Sequence, residues 1–222
     1  MKNKKYGILF DLDGTLWDSS EAVIASWNEV IDQQPDFHKK GTIEDMMSLM
    51  GKTMTEIAYE FFDTVSKERA IELMELCTDH ENEYLRSHGG VLMPGLIETL
   101  EELSKKYFLA IVSNCQQGYI EAFLAYYGLE KYFDDHEDFG TTQKPKSDNI
   151  ALVMERNNLE KTLYVGDIQG DCDSAVKAGA TFVHASYGYG KVPAAQYRIG
   201  SFPELMDVAD SYFGAAADPK EQ

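Results

Sequence analysis

Two carboxylates one residue apart, Asp11 and Asp13, are the first side chains in this sequence that could carry out chemistry. They follow the run 6–10, which has the length and apolar character of a strand buried on both faces, as in a parallel sheet. Ligands of open parallel sheets bind at the carboxyl ends of the strands, where both acids would emerge. Because the strand is so apolar, we expect the two acids to serve a metal ion, a proton or a reacting phosphorus.

Further polar residues lie next to later predicted strands, at the ends that should reach the same edge of the sheet. With the first two acids, this set comprises Asp11, Asp13, Ser113, Asn114, Lys144, Lys146, Asp167 and Asp171. Oxygen ligands without histidine suit a hard cation such as Mg²⁺. A hydroxyl, an amide and a lysine suit the oxygens of a phosphate group. The set therefore predicts metal-assisted phosphoryl transfer, which needs mainly positioning and charge neutralisation.

The elements that must position these residues alternate between strands and helices. Apolar runs predict strands at 6–10, 108–113, 162–166 and 181–184, with a further short strand within 133–140. Helical spacing predicts helices at 93–103, 116–127, 147–157, 171–178 and 202–213. This alternation is typical of right-handed βαβ units. The sequence thus predicts an α/β fold with a Rossmann-like parallel sheet core flanked by helices.

A block without a convincing strand separates the first predicted strand from the others. It contains helical patterns that include 42–50, 54–65 and 66–88, and Gly89-Gly90 ends it. We therefore expect residues 1–17 and 91–222 to form the catalytic core and residues 18–90 to form an inserted α-helical cap over the site. Residues 214–222 are expected to form a frayed tail.

Composition excludes several classes of protein. The 222 residues carry a formal charge of -18, which opposes binding to nucleic acid or to an anionic membrane surface. Cys77, Cys115 and Cys172 are dispersed and odd in number, so neither a disulfide framework nor a thiolate zinc site is expected. No run approaches the length of a membrane span. We expect a cytoplasmic protein, monomeric or homodimeric, that acts on a small molecule.

Four segments of the chain resemble the four motifs of the haloacid dehalogenase superfamily. They are Asp11-Leu-Asp13-Gly-Thr15-Leu16, Val112-Ser113-Asn114, Lys144-Pro145, and Gly166-Asp167 with Asp171. They occur in the order that the family shows, across the whole predicted core. The helical block after the first motif is similar to the small cap of the phosphoglycolate phosphatase and β-phosphoglucomutase branch.

The resemblance implies roles for the four acids. Asp11 would be the nucleophile that forms an aspartyl-phosphate, and Asp13 would be the general acid and base. Mg²⁺ would be held by the Asp11 carboxylate, the Asp13 backbone carbonyl and Asp167. Asp171 would act through a water molecule or by orienting a lysine.

The resemblance also implies which residues bind the phosphoryl oxygens. Candidate phosphate-binding positions are Leu12, Gly14, Thr15, Ser113 and Asn114, the first three through backbone amides. The third motif leaves two lysines open, because Lys144-Pro145 fits the usual dipeptide while Lys146 directly precedes a helix cap. We favour Lys144 slightly on the dipeptide.

The motif details favour one activity within the superfamily. The acid at Asp13 favours hydrolysis of phosphate esters over dehalogenation. Thr15 favours transfer of the phosphoryl group to water over its return to the substrate, as in a mutase. We therefore expect a Mg²⁺-dependent phosphatase of a small phosphomonoester such as phosphoglycolate. A sugar phosphomutase and a catalytically silent binding protein are the alternatives. Trp17, Gly51 and Lys52 are the candidates for substrate specificity on the cap side.

Overall fold

The computed structural model describes residues 4–49 and 51–214, and their strands form one large sheet and one short ribbon. The strands are β1 (Tyr6–Phe10), β2 (Trp17–Asp18), β3 (Val91–Leu92), β4 (Phe108–Ser113), β5 (Asp135–Asp138), β6 (Lys161–Gly166), β7 (Thr181–Ala185) and β8 (Tyr197–Ile199). Six of them form a parallel sheet in the order β5-β4-β1-β6-β7-β8. Helices flank this sheet, which confirms the predicted α/β fold.

In the part of the chain that the structure describes, at least one helix separates each pair of consecutive strands of the main sheet except β7 and β8. They are α1 (Ser20–Ile31), α2 (Ile43–Leu49), α3 (Met54–Phe61), α4 (Lys67–His88), α5 (Leu96–Lys106), α6 (Tyr119–Tyr127), α7 (Phe139–Thr142), α8 (Lys146–Arg156), α9 (Gln169–Ala178) and α10 (Leu205–Gly214). Two 3₁₀ turns lie at Glu130–Tyr132 and Phe202–Glu204. None of these helices is long and apolar enough to cross a bilayer.

Strand β1 lies at the centre of the sheet and at its topological switch point. Phe10 pairs with Ile111 of β4 on one side and with Val165 of β6 on the other. The chain first adds β4 and β5 on one side of β1 and then crosses to add β6, β7 and β8 on the other. Such a crossover leaves a crevice at the carboxyl ends of the strands. The residues after β1, β4 and β6 therefore meet there.

Helices α1 to α4 form the predicted helical insertion. Its two ends lie side by side, because Trp17 pairs with Leu92 and Asp18 pairs with Val91 in an antiparallel ribbon. Within the insertion, Thr53 and Glu56 form a capping box that starts α3. The division of the chain into a core at 1–17 and 91–222 and a cap at 18–90 remains a prediction, with which these element bounds agree.

A cluster of aromatic rings packs the root of the insertion onto the core. Trp17 is fully buried, and its ring centroid lies 5.8 Å from Tyr119, 4.9 Å from Phe123 and 6.2 Å from Tyr127. Edge-to-face contacts at these distances add to the free energy gained by burial. The position of the first helix of the insertion is thereby tied to α6.

Three short strands were not predicted from the sequence, namely β2, β3 and β8. Each has only two or three residues, which is too short for an alternating pattern to stand out. Two predicted features fall partly outside the described residues. Met50, the predicted end of the helix at 42–50, lies outside them, and so do residues 215–222 of the predicted tail 214–222. Gly214 is the last residue of α10 and not part of a frayed tail.

Candidate active site

Lys146 and Asp11 form a buried ion pair at the centre of the crevice. Lys146 Nζ lies 2.9 Å from Asp11 Oδ1 and 2.7 Å from Asp171 Oδ1. Burial alone would lower the pKa of Lys146, but the carboxylates of Asp11 and Asp171 outweigh it and raise that pKa well above its usual value. The lysine is therefore a permanent positive charge beside Asp11.

Three carboxylates surround this one ammonium group. Carboxylate oxygens of Asp11, Asp167 and Asp171 all lie within 4.8 Å of one another, and all three residues are buried. Burial, together with the charge of Asp171, raises the pKa of Asp11 to about 8 and that of Asp167 to about 7. Three acidic groups share one ammonium group, so a hard divalent cation, which would favour their ionised forms, fits the cluster and its oxygen ligands.

Asp171 organises the loop that carries Asp167. Its Oδ2 atom accepts hydrogen bonds from the backbone amides of Asp167, at 3.1 Å, and Ile168, at 3.2 Å. These amides belong to the start of α9, where an acidic side chain is favoured by the unpaired N–H groups of the first turn. One oxygen of Asp171 thus fixes the loop while the other binds Lys146. The predicted role in orienting a lysine agrees with this arrangement.

Two glycines allow three loops to approach Asp167 closely. Gly14 has φ of +75°, and a Cβ added there would lie 2.6 Å from Asp167 Oδ2. A Cβ on Gly188 would lie 2.4 Å from both Asp167 Cβ and the Gly14 carbonyl oxygen. This space lets the Tyr189 backbone amide donate to Asp167 Oδ2 at 2.7 Å. The Tyr187-Gly-Tyr-Gly190 segment therefore helps to build the site.

Asp13 is held by three donors that converge on one oxygen. Its Oδ1 atom accepts hydrogen bonds from Trp17 Nε1 at 2.9 Å, Ser19 Oγ at 2.6 Å and Tyr119 OH at 2.8 Å. The Tyr119 hydroxyl also lies 2.9 Å from Ser19 Oγ. Burial raises the pKa of Asp13, although the three hydrogen bonds oppose the rise. A raised pKa suits a group that must donate a proton near neutral pH.

Two of the predicted phosphate-binding amides are already used inside the loop after β1. The Gly14 amide donates to the Trp17 carbonyl at 2.9 Å, and the Thr15 amide donates to the Leu12 carbonyl at 3.3 Å. Both amides already have partners because the left-handed turn at Gly14 folds the loop back on itself, and their role in binding phosphate stays a prediction. Leu12 itself has a fully buried side chain. Its amide remains a candidate donor.

The structure also corrects the slight preference for Lys144. Pro145 has φ of -54° and ψ of 148°, an extended conformation that ends just before α8 begins. This geometry places the buried Lys146 against Asp11 and leaves Lys144 exposed. Lys146 is therefore the lysine positioned for phosphate, although its function there remains a prediction.

Ser113 and Asn114, at the end of β4, line the same cavity as Asp11 and Asp13. Ser113 is buried, and Asn114 Nδ2 donates to the carbonyl oxygen of Gly51 at 3.0 Å. That hydrogen bond joins the core to the insertion directly above the carboxylates. Both residues lie where the sequence predicted them.

Lys52 lies at the cavity wall but is paired with a neighbour. Its Nζ atom lies 2.7 and 2.6 Å from the two carboxylate oxygens of Glu60. The ammonium group is therefore neutralised within the insertion. Gly51 supplies a backbone carbonyl to Asn114, as described above, and Trp17 supplies an indole N–H to Asp13.

The sheet order, the switch-point crevice and the acidic cluster around a lysine define a class of hydrolase. Residues 8–185 match the family described as haloacid dehalogenase-like hydrolase. The chain belongs to this family, as the motifs indicated.

Relatives of the chain include named phosphatases. It is 29% identical over 190 residues to the pyrophosphatase PpaX of Bacillus velezensis, covering 78% of this chain and 79% of that protein. It is 28% identical over 199 residues to a phosphoglycolate phosphatase of Rhodobacter capsulatus, covering 84% and 86% of the two chains. The fold is similar to that of a predicted phosphoglycolate phosphatase of Haemophilus somnus, with a TM-score of 0.78, 22% identity, and 94% and 99% of the two chains covered.

Sequence reasoning missed several residues that complete the site. Tyr119 and Ser19 bind Asp13, Tyr189 binds Asp167, and Glu81 lines the cavity. Tyr119 lies 106 positions from Asp13, so no local spacing connects the two. The paired glycines around Tyr189 are the one local sequence signal for these residues, because glycine permits a close approach of the backbone.

Proposed function

We propose that this protein is a metal-dependent phosphatase that hydrolyses a small phosphomonoester through an aspartyl-phosphate. The observation that carries the proposal is the buried cluster in which Lys146 pairs with Asp11 and Asp171, while oxygens of Asp11, Asp167 and Asp171 lie within 4.8 Å of one another. A carboxylate that must attack an anionic phosphate needs nearby positive charge, and Lys146 supplies part of it. The motif order and the named relatives support the same activity.

In the proposed reaction, a carboxylate oxygen of Asp11 attacks phosphorus, and the bond from phosphorus to the leaving alcohol breaks. Asp13, protonated at the start, gives its proton to the leaving oxygen. The ionised Asp13 then takes a proton from water, whose oxygen attacks phosphorus and releases phosphate from Asp11. Trp17, Ser19 and Tyr119 hold Asp13 in place through both steps.

The charge of the phosphoryl group is balanced by the surrounding side chains. Lys146 would neutralise one phosphoryl oxygen, and the Ser113 hydroxyl would donate to another. Asp11, Asp167 and the Asp13 backbone carbonyl would hold a divalent cation, with Mg²⁺ as our proposal, and Asp171 would support them. When bound, such an ion neutralises developing negative charge on the phosphoryl oxygens.

This proposal covers small phosphomonoesters in general and does not specify one substrate. Phosphoglycolate is the first ester to test on the names of the relatives, and pyrophosphate is the second. A mutase would return the phosphoryl group to a sugar phosphate instead of water. Phosphate release without isomerisation of a sugar phosphate distinguishes hydrolysis from that alternative.

The test is the release of phosphate from p-nitrophenyl phosphate with Mg²⁺ or with EDTA. We expect release that requires the metal and that Asp11→Asn abolishes, because the amide oxygen is a poor nucleophile. Asp63→Asn, an exposed aspartate of the insertion, is the matched control and should retain activity. Turnover by the Asp11 variant equal to that of the control would refute the nucleophile assignment.

A further inference from the structure

The cavity above Asp11 and Asp13 is small, is lined by the helical insertion and is partly open to solvent. It measures about 50 Å³, room for only a few water molecules. Its apolar wall comes from the insertion and consists of Val23, Trp27, Met46, Leu49, Met54 and Ile57. A small group attached to the phosphate fits this volume, and a larger one such as p-nitrophenyl must extend through the opening.

One carboxylate interrupts this apolar wall. Glu81 of α4 is 2% exposed and lines the cavity. Its two oxygens accept hydrogen bonds from the Trp27 indole N–H and from Gln116 Nε2, the latter at 2.9 Å. Burial raises the pKa of Glu81 to about 7. A buried carboxylate is unfavourable unless donors satisfy it, and the cavity is the side from which a further donor can come.

Two amide side chains of the cavity lining, Asn114 and Gln116, carry further buried acceptors. Asn114 Nδ2 donates to the Gly51 carbonyl, and Gln116 Nε2 donates to Glu81 and, at 3.2 Å, to Asn82 Oδ1. The acceptor oxygens of Gly51, Glu81 and Asn82 require an NH₂ group opposite them. This requirement fixes which end of the Asn114 and Gln116 amides is nitrogen and which is oxygen. Asn114 Oδ1 and Gln116 Oε1 are consequently buried acceptors, and neither has a hydrogen-bond partner among the described residues. A buried polar atom without a partner indicates a missing ligand or water.

Among the described residues, both cations that line the cavity are already paired with carboxylates. Lys52 and Lys146 are the two cations among the described residues that line it. Lys52 is paired with Glu60, and Lys146 is paired with Asp11 and Asp171. A carboxylate on the leaving group would meet Glu81 with no unpaired lysine among the described lining residues to bind it.

We propose that Glu81, Asn114 and Gln116 select a phosphomonoester whose small leaving alcohol carries hydrogen-bond donors and no negative charge, such as a hydroxyl or an ammonium group. The inference rests on the proposed phosphatase function and narrows its substrate. It places phosphoglycolate, whose leaving group bears a carboxylate, among the poor substrates. Complementarity between three acceptors and a donor-bearing group is the source of the selection.

The test compares kcat/KM for three small esters, namely glycerol phosphate, ethanolamine phosphate and phosphoglycolate. We expect at least one of the first two to exceed phosphoglycolate by roughly tenfold or more, the size expected for one hydrogen bond to a charged group. A higher value for ethanolamine phosphate would identify ammonium as the preferred donor, and a higher value for glycerol phosphate would identify hydroxyl. Phosphoglycolate equal to or better than both would overturn the proposal.

Glu81→Gln tests the residue itself. The substitution removes the negative charge. The new amide NH₂ group can donate to the side-chain oxygen of Gln116 if that side chain rotates. The NH₂ group of Gln116 then becomes a donor where there was an acceptor. The ratio of kcat/KM for the preferred ester to that for phosphoglycolate should fall by roughly tenfold. Glu83→Gln, the same change at an exposed position of α4, should leave the ratio unaltered. An unaltered ratio in a folded Glu81→Gln protein would refute the role of Glu81.

Two controls separate the possible failures. Glu81→Asp keeps the negative charge and should keep the preference for the donor-bearing ester over phosphoglycolate. It replaces Glu81→Gln as the test variant if Glu81→Gln does not show a cooperative thermal transition. Metal-dependent release from p-nitrophenyl phosphate with no preference among the three esters would overturn the selection and leave the phosphatase function standing. The absence of metal-dependent release from every ester would overturn both.

Discussion

Lys146 Nζ lies 2.9 Å from Asp11 Oδ1, and no other described cation forms an ion pair with that carboxylate. The pair exists because α8 begins at Lys146, directly after the extended residue Pro145. The lysine therefore turns inward at the first helical position. Asp171 Oδ1 lies 2.7 Å from the same Nζ atom, so one positive charge forms ion pairs with two carboxylates.

Loss of the Lys146 charge should collapse turnover. Lys146→Met leaves the negative charge of Asp11 and of the incoming phosphate unopposed, and we expect kcat to fall by about 10²- to 10³-fold, the usual effect of removing one donor that stabilises a transition state. Lys144→Met removes an exposed lysine two positions away and is the matched control. A larger loss of activity in the Lys144 variant would restore the preference drawn from the Lys-Pro dipeptide.

Asp13→Asn should separate the two chemical steps. We expect steady turnover to fall by about 10²- to 10⁴-fold, the contribution of general acid and base catalysis. p-Nitrophenol leaves with little need for a proton, so rapid mixing with p-nitrophenyl phosphate should give a burst of up to one equivalent of p-nitrophenol per enzyme. Slow release of phosphate should follow, since no base activates water. Turnover close to that of the wild type would mean that another residue moves the proton.

Glu81 should make stability depend on pH in a definite direction. Its folded pKa of about 7 lies above its ordinary value of 4.5, because burial disfavours the charge. The folded state therefore binds this proton more tightly, and the free energy of unfolding should fall as pH rises between about 4.5 and 7. The two pKa values imply a total effect on the order of 3 kcal/mol.

Urea unfolding of wild type and Glu81→Gln, both in EDTA, measures that effect. The difference in unfolding free energy between them should favour the wild type most near pH 5 and shift toward the variant by pH 8. Glu83→Gln should follow the wild-type curve at every pH. A difference that stays constant with pH would show that Glu81 does not titrate in this range.

The sequence predicted the parts of the fold that have strong local patterns. Strand β1 at Tyr6–Phe10 and strand β4 at Phe108–Ser113 were predicted to the residue, because each is a continuous apolar run with polar residues at its end. The carboxylate cluster followed, since parallel strands bring their carboxyl ends to one edge. The helical insertion was predicted from the lack of any strand pattern between Asp18 and Gly90.

Features that depend on tertiary contact could not be predicted. The three donors to Asp13 come from two separate segments of the chain, with Tyr119 on α6. Glu81 resembles any other acid in a charged helix until packing places it against Trp27. The choice between Lys144 and Lys146 depended on where α8 begins, and helix boundaries are uncertain by one or two residues.

The antiparallel pairing of Trp17 with Leu92 and of Asp18 with Val91 has a consequence for how this fold can vary. The chain departs and returns through adjacent hydrogen-bonded positions, so the stretch between them can lengthen, shrink or be exchanged without shifting the register of any strand in the main sheet. Loop closure at such a point changes in free energy only slowly with the number of residues enclosed. The part of the insertion that contacts the leaving group can therefore change in sequence and length, while the carboxylates and the lysine of the core keep their positions.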